Sequence, residues 1–241
     1  MRVKALVAVA VVSAWMTATG SPASAEWFID VYGGGAFTLS EDVEATGSIA
    51  GLDIDGRLRD VKFDDSFALG GRIGYRFQSV PYLALAVDAW HFRPDVPSQQ
   101  VTASGTIAGL SGSIPVSIDA TDLSVIAASL DLMFRVPLVR TKDFPQGVVQ
   151  YYLLAGPAIF VTKLGDSQIT GGGFTLVGDS ETETTVGVKA GAGFAWQFHK
   201  NLAVFAEYRF THFSPEFKLT DVKLKADVNT HYALGGLSFR F

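Results

Sequence analysis

Residues 66–77 have the sequence Ser66-Phe67-Ala68-Leu69-Gly70-Gly71-Arg72-Ile73-Gly74-Tyr75-Arg76-Phe77. The odd-numbered positions are aromatic, aliphatic or glycine, whereas the even-numbered positions carry small residues and two arginines. Successive side chains of a β-strand point to opposite faces, so this segment predicts a strand with one apolar face and one small or charged face.

The same alternation recurs along the rest of the chain. The eight predicted strands are Trp27–Phe37, Ser66–Phe77, Tyr82–Phe92, Leu123–Val136, Val148–Thr162, Thr184–Phe198, Leu202–Phe213 and Lys225–Phe241. Most of them exceed the five or six residues typical of a soluble strand and reach the roughly 9 to 11 residues of a tilted membrane crossing. The predicted fold class is therefore all-β, an eight-stranded antiparallel transmembrane β-barrel.

The segments between these strands differ in length. Residues 38–65, 93–122, 163–183 and 214–224 are long, residues 78–81 and 199–201 are short, and residues 137–147 are intermediate. This pattern predicts long extracellular loops at one end of the barrel and short periplasmic turns at the other. Within the second long segment, residues 100–118 alternate around Gly109-Leu110-Ser111-Gly112, which predicts a hairpin projecting beyond the membrane.

Aromatic residues near the strand ends predict a girdle at each membrane interface. The periplasmic set is Trp27, Phe77, Tyr82, Phe134, Tyr151, Tyr152, Trp196, Phe198, Phe239 and Phe241, and the other set is Phe37, Phe67, Trp90, Phe92, Phe160, Phe210 and Phe213. A soluble lipocalin-like barrel or β-sandwich is the alternative, but its exposed face would be rich in Lys and Glu. The non-apolar faces here are mostly Gly, Ala and Ser, which favours a crowded barrel interior.

The first 25 residues have the features of a secretory signal peptide. Arg2 and Lys4 precede an apolar run from Ala5 to Met16, and Ala23-Ser24-Ala25 forms a small-residue cleavage site. The run is too short for a membrane-spanning helix, which needs about 20 apolar residues. We therefore expect residues 1–25 to be removed and residues 26–241 to form one barrel domain.

Composition limits the possible ligands. The chain of 241 residues has 19 Lys+Arg and 24 Asp+Glu, a net charge of −5, and no Cys. This balance argues against nucleic-acid binding, which needs clustered positive charge. The acidic segment between Thr38 and Asp65 contains Asp53-Ile54-Asp55-Gly56 but lacks the ligand series of a calcium loop. We expect no metal and no cofactor.

Three segments resemble the OmpA-like and opacity-type family of small outer-membrane β-barrel proteins. They are Val31-Tyr32-Gly33-Gly34-Gly35, Gly70-Gly71-Arg72-Ile73-Gly74-Tyr75-Arg76-Phe77 and Leu234-Gly235-Gly236-Leu237-Ser238-Phe239-Arg240-Phe241. The resemblance implies location in the cell outer membrane, with membrane lipid and lipopolysaccharide as partners. It also implies that Leu237, Phe239 and Phe241 form the C-terminal signal recognised by the barrel-assembly machinery. It indicates no extracellular partner.

Extending the alternation places ten charged side chains inside the barrel. They are Asp30, Arg72, Arg76, Asp88, Asp131, Arg135, Lys189, Glu207, Arg209 and Arg240. An eight-stranded barrel is just wide enough for side chains to fill, and an unpaired charge there is costly. We favour an ion-pair network that plugs the lumen. The alternative is a narrow, low-conductance channel lined by these charges.

An enzymatic alternative rests on His212 and Ser214. Both are expected on the lipid-facing side of the seventh strand, and this arrangement resembles outer-membrane lipid A deacylases, in which His activates Ser to attack an ester. Asp227 is the candidate acid and Glu216 a local substitute. However, Pro215 stands where that family has an Asn that helps to bind the oxyanion, and Pro lacks a backbone N–H. We therefore expect a non-enzymatic protein with an envelope-structural or surface-interaction role.

Overall fold

A computed structural model describes residues 26–49, 52–107, 110–142, 144, 147–171, 174–219 and 222–241. The signal peptide predicted for residues 1–25 lies outside the described residues. Within them, no helix is long and apolar enough to cross a membrane.

Sixteen strands make up the described fold. In chain order they are β1 (Glu26–Thr38), β2 (Glu41–Ile49), β3 (Leu52–Val61), β4 (Ser66–Arg76), β5 (Leu83–Phe92), β6 (Gln99–Ile107), β7 (Leu110–Ile118), β8 (Leu123–Val139), β9 (Val149–Leu164), β10 (Ser167–Gly171), β11 (Phe174–Gly178), β12 (Glu181–His199), β13 (Leu202–Phe213), β14 (Glu216–Leu219), β15 (Val222–Ala226) and β16 (Val228–Arg240). The strands belong to two antiparallel sheets, a closed barrel and a second sheet.

The closed barrel has the strand order β1-β16-β13-β12-β9-β8-β5-β4, with β4 pairing back to β1. The predicted eight-stranded antiparallel barrel is therefore confirmed. We call the end where β4–β5, β8–β9 and β12–β13 connect the turn end. The opposite end, where the intervening strands β2, β3, β6, β7, β10, β11, β14 and β15 lie, is the hairpin end.

Several strand boundaries differ from the prediction. The eighth strand was expected to begin at Lys225, but the barrel strand β16 begins at Val228 and Lys225 belongs to β15. Strand β8 continues past Val136 to Val139, because a register shift against β9 between Pro137 and Val139 accommodates a residue that cannot donate a ladder hydrogen bond.

The four long segments expected to be loops form a second sheet of order β11-β10-β7-β6-β3-β2-β15-β14. The hairpin predicted for residues 100–118 is present as paired β6 and β7. The other three hairpins, β2–β3, β10–β11 and β14–β15, were not predicted. Their shared apolar face appears only when they pair, in a cluster of Val43, Leu58, Val61, Val101, Val116, Ile118 and Ile169.

The inner face of the barrel is crowded, and glycines leave the space for its large side chains. A Cβ placed at Gly193 would lie 2.5 Å from Ala206 O and 2.6 Å from the Tyr152 hydroxyl. By contrast, a Cβ at Gly235 would have no neighbour nearer than 3.8 Å. Small residues on the inner face therefore leave the space that the neighbouring bulky polar and aromatic side chains occupy.

The predicted aromatic girdle at the hairpin end is largely wrong. Trp90, Phe92, Phe160 and Phe213 are buried inside the barrel, as is Tyr152 at the turn end. Trp90 and Phe92 share the parity of Asp88, so they point inward whatever their distance from the strand end. The outward residues Phe37 and Phe67 and, at the turn end, Trp27, Tyr82, Phe134, Trp196, Phe198, Phe239 and Phe241 are exposed.

The glycine contacts generate a test with a matched control. We expect Gly193→Ala to destabilise the barrel by about 1 to 3 kcal/mol, because the added methyl group overpacks the contact with Tyr152 and the β13 backbone. Gly235→Ala, on the outer face, should leave stability unchanged or slightly increased. Urea unfolding in lipid vesicles, followed by tryptophan fluorescence, measures both. Equal effects of the two substitutions would contradict the packing argument.

Candidate functional site

The barrel interior contains a group of seven ionisable side chains that we call the central network. Its members are Asp30, Arg72, Asp88, Asp131, Lys189, Glu207 and Arg209. They project from the inner faces of β1, β4, β5, β8, β12 and β13, and none is more than 3% exposed.

Arg72 pairs with three carboxylates of the central network. Its Nη2 lies 2.7 Å from Glu207 Oε2, its Nε 3.3 Å from Asp88 Oδ2 and its Nη1 3.5 Å from Asp30 Oδ2. Asp30 and Asp88 are its direct neighbours in the ladders with β1 and β5. Glu207 lies on β13, which does not pair with β4, so this contact crosses the lumen.

Asp88 is the acceptor shared by three cations. Its Oδ2 lies 2.7 Å from Lys189 Nζ and 2.9 Å from Arg209 Nη2, in addition to the Arg72 contact. The Tyr32 hydroxyl donates a hydrogen bond to its other oxygen. Lys189 also forms an ion pair with Asp131. Asp88 therefore links cations from β4, β12 and β13 at one point in the lumen.

The Glu207 carboxylate, like that of Asp88, accepts hydrogen bonds from several buried side chains. Arg209 Nη2 and Nε donate to its Oε1 at 2.8 and 3.0 Å, and Tyr152 OH donates to its Oε2 at 2.9 Å. Together with Arg72, these contacts give both carboxylate oxygens charged or hydroxyl donors. Such saturation is what a fully buried carboxylate requires to remain ionised.

Aromatic rings cover the cations. The Arg209 guanidinium lies 4.7 Å from the ring centre of Tyr32 and 5.0 Å from that of Trp90, and Lys189 Nζ lies 4.9 Å from Trp90. These distances allow cation–π attraction. Our sequence interpretation missed Tyr32, Trp90 and Tyr152 as site residues. The available signal was parity, since Tyr32 follows Asp30 by two positions and Trp90 follows Asp88 by two.

The three remaining charges of the predicted interior set lie nearer the turn end than the central network does. Arg76, Arg135 and Arg240 are buried there with Glu26, and we call these four residues the mouth cluster. Arg76 Nη1 lies 3.1 Å from Glu26 Oε2, and Arg240 Nε lies 3.6 Å from Glu26 Oε1. The interior charges therefore form two groups of different composition.

An apolar layer lies above the central network, at the hairpin end. A cavity of about 100 Å³ there is lined by second-sheet residues such as Val43 and Ile169, by Phe217, and by the barrel-strand residues Leu123 and Val228. The lumen thus changes from apolar at the hairpin end to charged at its centre.

The candidate catalytic residues do not form a relay. His212 Nδ1 lies 2.9 Å from Asn229 Oδ1, while Ser214 Oγ donates to Asp227 Oδ1. No hydrogen bond joins His212 to Ser214 in the described part of the chain. Asp227 therefore contacts the candidate nucleophile directly and does not orient the histidine, which is not the order that acyl transfer needs.

Leu237, Phe239 and Phe241, the predicted C-terminal signal, are 42%, 43% and 52% exposed. Phe239 and Leu237 alternate with the buried Ser238 and Arg240 on β16.

Among the described residues, no group of three or more His, Cys, Asp or Glu side chains could hold a metal ion.

Comparison with known proteins gives a family and a fold. The model of the outer membrane protein beta-barrel domain matches residues 7–241. The solved structure of Neisserial surface protein A is similar, with 15% sequence identity, 90% of this chain and 99% of that chain covered, and a TM-score of 0.50. OprG from Pseudomonas aeruginosa shows 12% identity, coverage of 90% and 96%, and a TM-score of 0.49. No curated protein sequence matches significantly.

The central network can be tested by removing one charge. We expect Glu207→Gln to destabilise the barrel by about 3 to 5 kcal/mol, because Arg72 and Arg209 lose a buried carboxylate. Glu216→Gln is the control, since its pair with Lys223 is solvent-exposed and worth little. Urea unfolding of both variants in vesicles gives the comparison. A Glu207→Gln barrel as stable as the control would show that the network carries no such energy.

Proposed function

The chain belongs to the outer membrane protein beta-barrel domain family, and on this premise we propose that it is a non-enzymatic protein of the outer membrane whose lumen is closed by the central network. Its role in this proposal is structural or adhesive: it spans the outer membrane and presents the second sheet at the surface. The proposal depends on one observation, the contact of Arg72 with Glu207 across the lumen.

Three features support a closed lumen. The contacts of Arg72 and Arg209 connect inner-face carboxylates on β5 and β13. Trp90 and Tyr32 fill the space beside these cations. An eight-stranded barrel has little interior volume beyond that of its own side chains. A sugar or an antibiotic would have to displace several buried ion pairs to pass.

The second sheet is the part suited to surface contact. Its four hairpins pair with one another in a continuous ladder, so they hold one another in place more firmly than separate loops could. Its surface includes exposed ion pairs of Arg57 with Asp42 and Glu44. We place the hairpin end outside the cell, because long connections lie there in outer-membrane barrels and binding residues concentrate in such segments.

The membrane partners follow from the outer faces. Apolar side chains such as Val186 and Leu69 are 73% and 63% exposed and would contact lipid and the acyl chains of lipopolysaccharide. Leu237, Phe239 and Phe241 remain the residues we expect the barrel-assembly machinery to recognise.

Conductance tests the closed lumen. In planar bilayers the protein should give at most small, infrequent current steps. Arg72→Ala/Glu207→Ala removes one pair of opposite charges from the centre and should make openings more frequent. Glu216→Ala/Lys223→Ala removes an exposed pair and should change nothing. Large, steady openings of the unmodified protein would refute closure.

Lipid A composition tests the absence of enzymatic activity. We expect His212→Ala and Ser214→Ala to leave lipid A acylation unchanged, because neither the histidine–serine contact nor the orienting acid is in place. Mass spectrometry of lipid A from cells expressing each form gives the measurement. If expression removes an ester-linked acyl chain and either substitution abolishes that loss, the protein is a deacylase.

A further inference from the structure

The cavity of about 100 Å³ at the junction of the barrel and the second sheet has walls from both. Ile169 and Leu224 are second-sheet residues, and Leu123 and Val228 belong to barrel strands. Among the described residues that line this hairpin-end cavity, none has an ionisable side chain. A charged molecule would therefore find no counter-ion there, whereas an uncharged one would lose nothing by entering.

One hydroxyl group in the lining has no partner. Ser167 and Ile169 share the inward face of β10, and Ser167 Oγ is buried without a hydrogen bond in the described part of the chain. The other lining hydroxyl, Thr121 Oγ1, donates to the carbonyl oxygen of Asp119 at 3.1 Å. Because a buried hydroxyl without a partner is costly, Ser167 Oγ is a hydrogen-bonding group available to a molecule in the cavity.

Water suits this lining poorly. A buried water molecule normally makes about two to four hydrogen bonds, and Ser167 is the described lining side chain that offers an unpaired polar group. Dry cavities of roughly 150 Å³ with walls of Leu, Ile and Phe bind molecules such as benzene. The hairpin-end cavity has walls of the same kind and a somewhat smaller volume.

Strand β14 is a part of the cavity wall that few backbone bonds hold. It is an edge strand that pairs with β15 and with no other described strand, and its Phe217 lines the cavity. The Lys218 amide donates to Glu181 Oε2 on β12 at 2.7 Å, so a side-chain contact connects β14 to that barrel strand. A path between β12 and β14 therefore opens when this hydrogen bond breaks.

We propose that the hairpin-end cavity binds a small uncharged molecule that has an apolar body of about six carbon atoms and one hydrogen-bonding group, such as an alcohol or a phenol. The apolar body contacts Ile169, Phe217 and Leu224, the polar group pairs with Ser167 Oγ, and the molecule enters beside β14. Such binding goes beyond the structural or adhesive role and does not require the lumen to open, because the cavity lies on the hairpin side of the central network.

The test uses the full-length barrel in a non-ionic detergent and two probes, para-fluorophenol and fluorobenzene, followed by fluorine NMR. Detergent micelles without protein give the background of unsaturable partitioning. We expect saturable binding of both probes. Ser167→Ala should weaken the binding of para-fluorophenol about 3- to 10-fold, as expected for one neutral hydrogen bond, and change that of fluorobenzene by less than about twofold. Ser113→Ala, an exposed serine on β7, is the matched control and should change neither.

A second variant fills the cavity. Ala226 lies on β15 and lines the cavity, so Ala226→Leu should abolish the saturable binding of both probes. If the unmodified protein binds neither probe saturably, or if a folded Ala226→Leu barrel binds both as tightly, the cavity is not a binding site and the proposal is wrong. Equal weakening of both probes by Ser167→Ala would refute the role of its hydroxyl, and this variant decides the matter if Ala226→Leu does not fold.

The rate of probe exchange tests the route. Glu181→Ala removes the acceptor of the Lys218 amide and should speed exchange about 3- to 10-fold, while the dissociation constant stays unchanged. Glu183→Ala, on the same strand, is the control. If Glu181→Ala exchanges the probe at the rate of the control, the molecule does not enter beside β14 and that part of the proposal is wrong. None of these outcomes bears on the closed lumen, which the conductance measurement tests separately.

Discussion

In the hydrocarbon core of a bilayer no water is available to backbone amide and carbonyl groups, so each must find a partner within the protein. This chain meets that requirement by closing its sheet through the pairing of β1 with both β4 and β16. Closure then divides the side chains into two sets with different surroundings. Outward residues such as Phe67 are exposed to lipid, whereas inward residues such as Asp88 are fully buried. Every polar group on the inner set must therefore be satisfied within the lumen.

The side chains inside the barrel form layers of different chemistry along the barrel axis. At the hairpin end the second sheet encloses an apolar cluster around Val101 and Val116. At the centre, Arg72, Asp88 and Glu207 belong to a network in which carboxylates and cations share partners. At the turn end, Arg76 and Arg240 both pair with Glu26, and Arg135 lies against the ring of Phe28. The two ends of the lumen therefore differ in chemistry, although the barrel strands are antiparallel and alternate in direction.

Much of the barrel could be predicted from alternation alone, because a side-chain period of two is a local property of a strand. The same property assigned ten charges to the inner face, and all ten of these residues are buried. It could not place them along the barrel axis, and so it did not separate Arg135 from the central network. That separation depends on register: Asp30 and Asp88 flank Arg72 in the ladders, but Glu207 reaches it across the lumen. The second sheet was missed for a related reason, since Val43 and Ile169 are far apart in sequence and meet only after folding.

The pairing of β1 with β16 also determines when the barrel can close during synthesis and export. Phe28 lies opposite Arg240 and Thr38 opposite Thr230, so the edge left open by the first barrel strand is covered by the last one. A ribosome must therefore finish almost the entire chain before this edge has its partner. Until then, the donors and acceptors along β1 that face away from β4 have no permanent ladder and can pair with any other extended chain. The cell therefore has to keep such a chain apart from other extended chains throughout export. This need ends when β16 pairs with β1.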